Sequence, residues 1–296
     1  EFTLWLVTSE HCHPELLLYR VQNGQYHRLT VPEQNSEILA HQVIKIGQHA
    51  YIHLLQITTR SVFLDPEAHY AYDIMLPNSN GLISIAKSHS TLRYEQQAYF
   101  HFRVPGVLKN VMHGSCRKPH HDSGDGLVIV DEQIASAVTG QSEAPDLLMM
   151  SGDQVYVDDV AGPTLLAIEQ TINKLGLFQE TLEGATISNS RDIFSNPLCF
   201  YRRPELLPDD PTTTNTYAQF FAAKRKPIFT SVNASNHLIS FAEVMAMYIL
   251  TWSPEMWNWV QISDERIPEP FKQTFADEKR VIEEFVAGVG KVRRAL

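Results

Sequence analysis

The sequence predicts two domains in series, an all-β sandwich over residues 1–105 and an α/β domain over residues 106–296. Three observations carry this expectation. The first hundred residues break into short alternating, β-branched or aromatic runs at a spacing suited to a sandwich. From 107 to 156 the pattern becomes an apolar run, a three-to-four-residue periodicity and a second apolar run, which is the order of strand, crossover helix and parallel strand. Pro105-Gly106 lies between the two patterns as a hinge, and 296 residues suffice for one sandwich-sized domain and one larger.

In the first domain the predicted strands are Phe2 to Thr8, Leu16 to Val21, Gln25 to Val31, Glu37 to Ile46, Ala50 to Thr58, Ala68 to Leu76 and Thr91 to Val104. Asn23-Gly24 between the second and third is a hairpin signal, because a type I′ turn needs positive φ at both central residues. In the second domain Val107 to Met112 reads as a strand. Leu127, Val130, Ile134 and Val138 form one face of a helix, and Leu147-Leu148-Met149-Met150 reads as a buried strand. Gly162-Pro163 opens a helix running to Leu175, with Leu165, Ile168 and Ile172 on one face. Ser195 to Tyr217, rich in Pro, Asp and Thr, reads as a lid or an insertion. A helix over Glu243 to Trp252 follows a polar segment in which Asn236 is a cap candidate and His237 a first-turn residue. Val281, Ile282, Phe285, Val286 and Val289 form the apolar face of a last helix over Gln273 to Arg294.

A net charge of −10 argues against nucleic acid as an electrostatic partner. Three widely spaced cysteines, Cys12, Cys116 and Cys199, do not read as a disulfide framework. No apolar run approaches the length of a membrane span. There is no basic and apolar leader at the start; because the chain begins at Glu1 rather than Met, a removed export signal stays open beside a cytoplasmic location. Oligomeric state is not legible.

The chemistry concentrates in Ser151-Gly152-Asp153-Gln154-Val155-Tyr156. A Gly-Asp pair directly after an apolar run reads as a strand opening into a tight turn that carries a carboxylate, with a phenol three residues on. Gly114-Ser115-Cys116-Arg117 stands in the same relation to the strand before it. In a parallel sheet both turns would open on the crevice at the carboxyl ends of the strands, where Cys116, Asp153 and Tyr156 could converge. Thiolate and phenolate are anionic donors that suit a trivalent or transition metal better than magnesium alone.

These residues resemble the alkaline phosphatase D family of metallophosphatases, and most closely a bacterial branch that reads like Ser-Gly-Asp-Gln-Val-Tyr followed by Asp158, Asp159 and Val160. The segment with Ser240, Phe241, Glu243, Met247 and Tyr248, followed by Trp252-Ser253-Pro254-Glu255, also resembles that branch, so the likeness spans roughly residues 107 to 260. The resemblance implies an immunoglobulin-like first domain and a second domain hydrolysing small phosphomonoesters or phosphodiesters. It further implies a dinuclear site of iron (Fe3+) with a divalent cation such as calcium, and a metal-activated hydroxide as nucleophile. Cys116, Asp153, Tyr156 and Asp159 are then the metal-ligand candidates, with Asp153 bridging. Asp153 and Arg117 are the catalytic candidates, and His120, His121 and Arg202 are candidate phosphate contacts. A full family member continues into an Asp-Asp-His-Asp-like turn and further His and Asn ligands. None of these is in this sequence, so the chain resembles the amino-terminal portion of a longer enzyme.

Each residue also has a plainer reading. Cys116 could be a small buried hydrophobe, Tyr156 a core residue with its hydroxyl satisfied, and Asp159 with Asp158 the cap of the helix near Pro163. His120 with His121, and Arg202 with Arg203, could be solvated loop pairs. His11-Cys12-His13 has the alternation of a metal site but needs further ligands from elsewhere in the chain. Two other functions remain beside the phosphoesterase: a non-catalytic binding or scaffold protein with a degenerate phosphatase core, and a phospholipid-type esterase.

Overall fold

A computed structural model of the chain describes residues 2–29, 39–57, 64–207, 231 and 233–292. The strands are β1 (Phe2–Thr8), β2 (Glu15–Gln22), β3 (Gln25–Leu29), β4 (Leu39–Gly47), β5 (Ala50–Ile57), β6 (His69–Asn78), β7 (Gly81–Ser84), β8 (Phe100–Arg103), β9 (Val111–Gly114) and β10 (Leu147–Met150). The helices are α1 (Ile85–Ser88), α2 (Leu127–Val138), α3 (Gly162–Leu175), α4 (Phe241–Trp252), α5 (Pro254–Trp257) and α6 (Lys272–Val292).

The described strands form three sheets. β1, β5 and β4 make an antiparallel three-stranded sheet with β5 central. β3, β2 and β6 make a second antiparallel sheet, in which β7 and β8 share the far edge of β6. The β2–β3 turn is Asn23-Gly24, with φ of +50° and +76°, the positive values a two-residue hairpin needs. On this sheet Leu18 is buried against Leu16, Leu29, Tyr72 and Phe102. Asp73, also buried, accepts hydrogen bonds from the Ile74 and Ala86 amides and from the Ser84 hydroxyl, and so ties β6 to the turn entering α1. The third sheet is the parallel pair β9 and β10, joined by α2. Buried Asp146 accepts from the Lys109 and Asn110 amides and pairs with Arg103, fixing the start of that pair.

The remaining helices have clear local causes. Gly162-Pro163 starts α3 and Gly176, at φ +56° in the left-handed region, ends it. Ser240 and Glu243 form a capping box at the start of α4. Glu243 also makes an ion pair with Arg203, and neither side chain reaches solvent. Along α6, Phe275, Ile282, Phe285 and Val289 are buried while Glu283 and Glu284 face water.

This architecture corrects the expected organisation. Helix makes up about 32% and strand about 26%, the sheets are mixed and mainly antiparallel, and an immunoglobulin-like all-β domain followed by an α/β domain does not form. The chain instead divides into two compact units that interleave along the sequence. One takes the chain up to Gly114 and Gly126–Ser151; the other takes Ser115–Asp125 and Gly152–Gly290. Parallel pairing is confined to four residues in each of β9 and β10. β10 is not the buried strand its apolar sequence predicts: Leu147 and Met149 are 37% and 49% exposed, whereas a strand central to an open parallel sheet is covered on both faces.

Smaller corrections follow the same logic. Residues 107–110 lie outside β9, which is shifted toward Gly114, and Thr91 to Tyr99 precede rather than belong to β8. β7 and α1 carry no sequence signal, because neither is long enough for a period to show. Asn236 is not a cap. It is buried, accepting from the Tyr201 amide at 2.6 Å and donating to the Val160 carbonyl at 2.8 Å. Thr30 to Val31, Glu37 to Ile38, Thr58 and the proline- and threonine-rich residues 208–217 lie outside the described residues. No described helix is long and apolar enough to cross a membrane.

Candidate functional site

The two motif turns meet. β9 and β10 pair Gly114 with Met150, and the Ser151 amide donates to the Gly114 carbonyl at 3.1 Å, so both chains leave the sheet side by side. Beyond that point the Arg117 amide donates to the Asp153 carbonyl at 2.9 Å. Gly152 makes the approach possible, since a Cβ there would stand 2.7 Å from Cys116 Sγ and 2.8 Å from Cys116 N and would overlap Ser115 Oγ. Only a residue without a side chain lets the turns close to this distance.

Cys116 is exposed and has φ +60°, a left-handed backbone that costs a non-glycine residue about 1–2 kcal/mol. Its thiol lies against Ser115, Tyr156 and Asp153. The Ser115 hydroxyl, with Oγ 3.1 Å from Sγ, contributes most, followed by the Tyr156 hydroxyl and the Asp153 amide, and together they hold the thiol below its ordinary pKa. The Tyr156 phenol is pushed up to about 12, first by desolvation, then by its bond to Cys116 and by the negative charges of Cys116, Asp153 and Asp158. The carboxylate of Asp153 is exposed beside both. Thiol, phenol and carboxylate are therefore gathered in one place, and the thiol is the group prepared to ionise.

The other candidates are placed elsewhere or already committed. Arg117 is buried, with its guanidinium forked on Asp125 at 2.7–3.2 Å. Nη1 donates to the Thr251 carbonyl at 2.5 Å, and the group stacks 4.9 Å from the Trp252 and Phe285 ring centres. Its guanidinium is committed to Asp125 and Thr251. Asp159 pairs with Lys118 and lies 3.4 Å from His120 Nε2. Desolvation, then the Lys118 charge, lowers the His120 pKa despite Asp159. Desolvation acts upward on Asp158, but bonds from the Ser231 hydroxyl and the Asp158 and Asp159 amides outweigh it and hold its carboxyl down. His121 is exposed and bonded to Ser123, and Arg202 is exposed and clamped on Glu205 at 2.7–2.8 Å. Arg203 is a wholly buried ion.

Two participants have no role in the sequence reading: Ser115, which enters it only as part of the turn over residues 114–117, and Lys118, two residues beyond Cys116. Among the described residues no three His, Cys, Asp or Glu side chains meet around a point where they could hold a metal ion. Fold and site define a two-unit mixed protein with an exposed thiol and carboxylate and a half-buried phenol across paired turns. No protein-family model, curated protein or solved structure matches the chain.

Proposed function

We propose that the chain is a metal-dependent phosphoester hydrolase whose first cation is held by Cys116, Tyr156 and Asp153. The observation that supports this is the meeting of those three side chains across turns that only Gly152 allows to close. The donor set suits iron: a lowered thiol is a ready thiolate, whereas a phenol held near 12 gives up its proton only to a strongly polarising ion. Strain at Cys116 supports a site as well, since left-handed backbone at a non-glycine persists where the surroundings impose it. A bound cation would polarise the phosphoryl oxygens and acidify water. Asp153 is the exposed carboxylate beside it. The described residues fit one such cation; Asp159, the fourth expected ligand, is neutralised by Lys118.

The test is iron loading followed by visible spectroscopy and hydrolysis of p-nitrophenyl phosphate and bis(p-nitrophenyl) phosphate. The expected result is a phenolate-to-iron band that Tyr156→Phe removes, and turnover that Asp153→Asn removes. Failure to bind iron together with absence of hydrolysis would overturn the reading. A second reading, a non-catalytic anion or metal binder, is favoured by one fact: Arg117 and Lys118, the cations nearest the turns in sequence, are committed to Asp125 and Asp159. Iron binding without turnover would favour it.

A further inference from the structure

A separate set of donors gathers in the strand-rich unit. His11, Cys12 and His13 lie in the loop between β1 and β2, and further histidines arrive from the neighbouring strands β4 and β5. His41 on β4 pairs with Leu55, and His53 on β5 pairs with Val43, so the two rings are diagonal neighbours. The rings run in a chain, with centres 5.6 Å apart for His11 and His13, 5.6 Å for His13 and His41, and 5.2 Å for His41 and His53.

The hydrogen bonds at the buried end assign every proton. The Thr8 hydroxyl donates its single hydrogen to the Glu10 carbonyl at 2.6 Å. Thr8 Oγ1 also lies 2.8 Å from His53 Nε2, which must therefore be the donor of that bond. A neutral His53 protonated at Nε2 has its lone pair at Nδ1, 2.9 Å from His41 Nε2, so His41 donates there. His41 is left with its lone pair on Nδ1, a nitrogen with no hydrogen-bond partner among the described residues.

A histidine whose other N–H is spent on a fixed acceptor is the usual form of a metal ligand. We propose that His11, His13 and His41 bind one divalent ion of the imidazole-preferring class (zinc, copper or nickel), with His53 and Thr8 orienting His41. The His11–His13 and His13–His41 ring spacings suit this. Two imidazoles on a tetrahedral ion, each nitrogen about 2.0–2.1 Å from the metal, have centres about 5 Å apart. The nitrogens themselves do not meet at one point. Bringing them together needs rotation of the His11 and His13 rings, and both residues are exposed on a loop, where rotation is cheap. Cys12 is turned toward Thr8 and His53, with Sγ 3.9 and 4.0 Å away, and leaves a fourth position open.

The test titrates the full chain with Zn2+ in competition with a chromophoric chelator. With the paired turns disabled by Cys116→Ser/Tyr156→Phe, one equivalent should bind. In that background His11→Gln/His13→Gln changes only exposed side chains and should abolish binding, while Thr8→Val should weaken it about 10- to 100-fold by releasing the orienting chain. The proposal is overturned if the Cys116→Ser/Tyr156→Phe chain retains no Zn2+, or if adding His11→Gln/His13→Gln leaves its binding unchanged.

Discussion

Replacing Gly152 by alanine tests the paired turns, and its effect can be worked from the contacts. The new Cβ would stand 2.8 Å from Cys116 N and 2.7 Å from its Sγ. Ser115 can turn its hydroxyl aside, but the Cys116 amide is backbone and yields only if the turn moves. Relaxing that contact to about 3.5 Å requires the turns to part by about 0.7 Å. The bond from the Arg117 amide to Asp153, now 2.9 Å, would then stretch beyond hydrogen-bonding distance. Overpacking of this kind costs about 1–3 kcal/mol, and each kcal/mol lowers Tm by roughly 1.5–2 °C in a chain of 296 residues. Calorimetry should find that loss. A second readout is local: the rate of Cys116 alkylation against pH, in a Cys12→Ser background. The Ser115, Tyr156 and Asp153 bonds hold the wild-type thiol below its ordinary range, so parting the turns should move the midpoint of that profile upward. A Gly152→Ala protein with unchanged Tm and unchanged thiol profile would refute the close approach.

Single hydrogen-bond deletions should follow the same profile, with Ser115→Ala raising the Cys116 midpoint more than Tyr156→Phe does; the reverse order would reassign the main partner. Glu243→Gln should cost roughly 3–5 kcal/mol in urea unfolding, because Arg203 would remain charged with no access to water and with Nε and Nη1 already lacking partners. Glu243→Gln/Arg203→Met should recover much of that loss. Burial raises the pKa of Glu278, whose Oε2 accepts from the Gly162 amide and the Tyr201 hydroxyl at 2.7 Å. The folded chain then holds that proton more tightly than the unfolded chain, so stability falls as pH rises from the ordinary carboxylate range through the raised value. Glu278→Gln should remove that dependence, matching wild type in acid and exceeding it at neutral pH in chemical unfolding.

Much of the local structure is legible along the chain because its causes are local. Asn23-Gly24 turns the β2–β3 hairpin, the apolar spacing from Leu127 to Val138 coincides with α2, and Gly162-Pro163 opens α3. Ser240 with Glu243 could have been read as a capping box in place of Asn236, since its spacing is a sequence signature. The paired turns are legible too, because Gly114 ends β9 and Gly152 lies just beyond β10, each at the end of a stretch read as a strand.

What the sequence determined by itself is therefore the elements long enough to show a period or a cap, and the composition of the turns, where the physics lies within a few residues. Tertiary structure decided everything that depends on partners distant in sequence. It interleaved the two units, left one face of β10 exposed, buried Arg117 against Asp125 and Thr251, and paired Asp159 with Lys118. It also joined His41 and His53 to the His11-Cys12-His13 loop. A charged or titratable side chain takes its role from the partner that compensates it when water is removed, and residue spacing along the chain does not specify that partner.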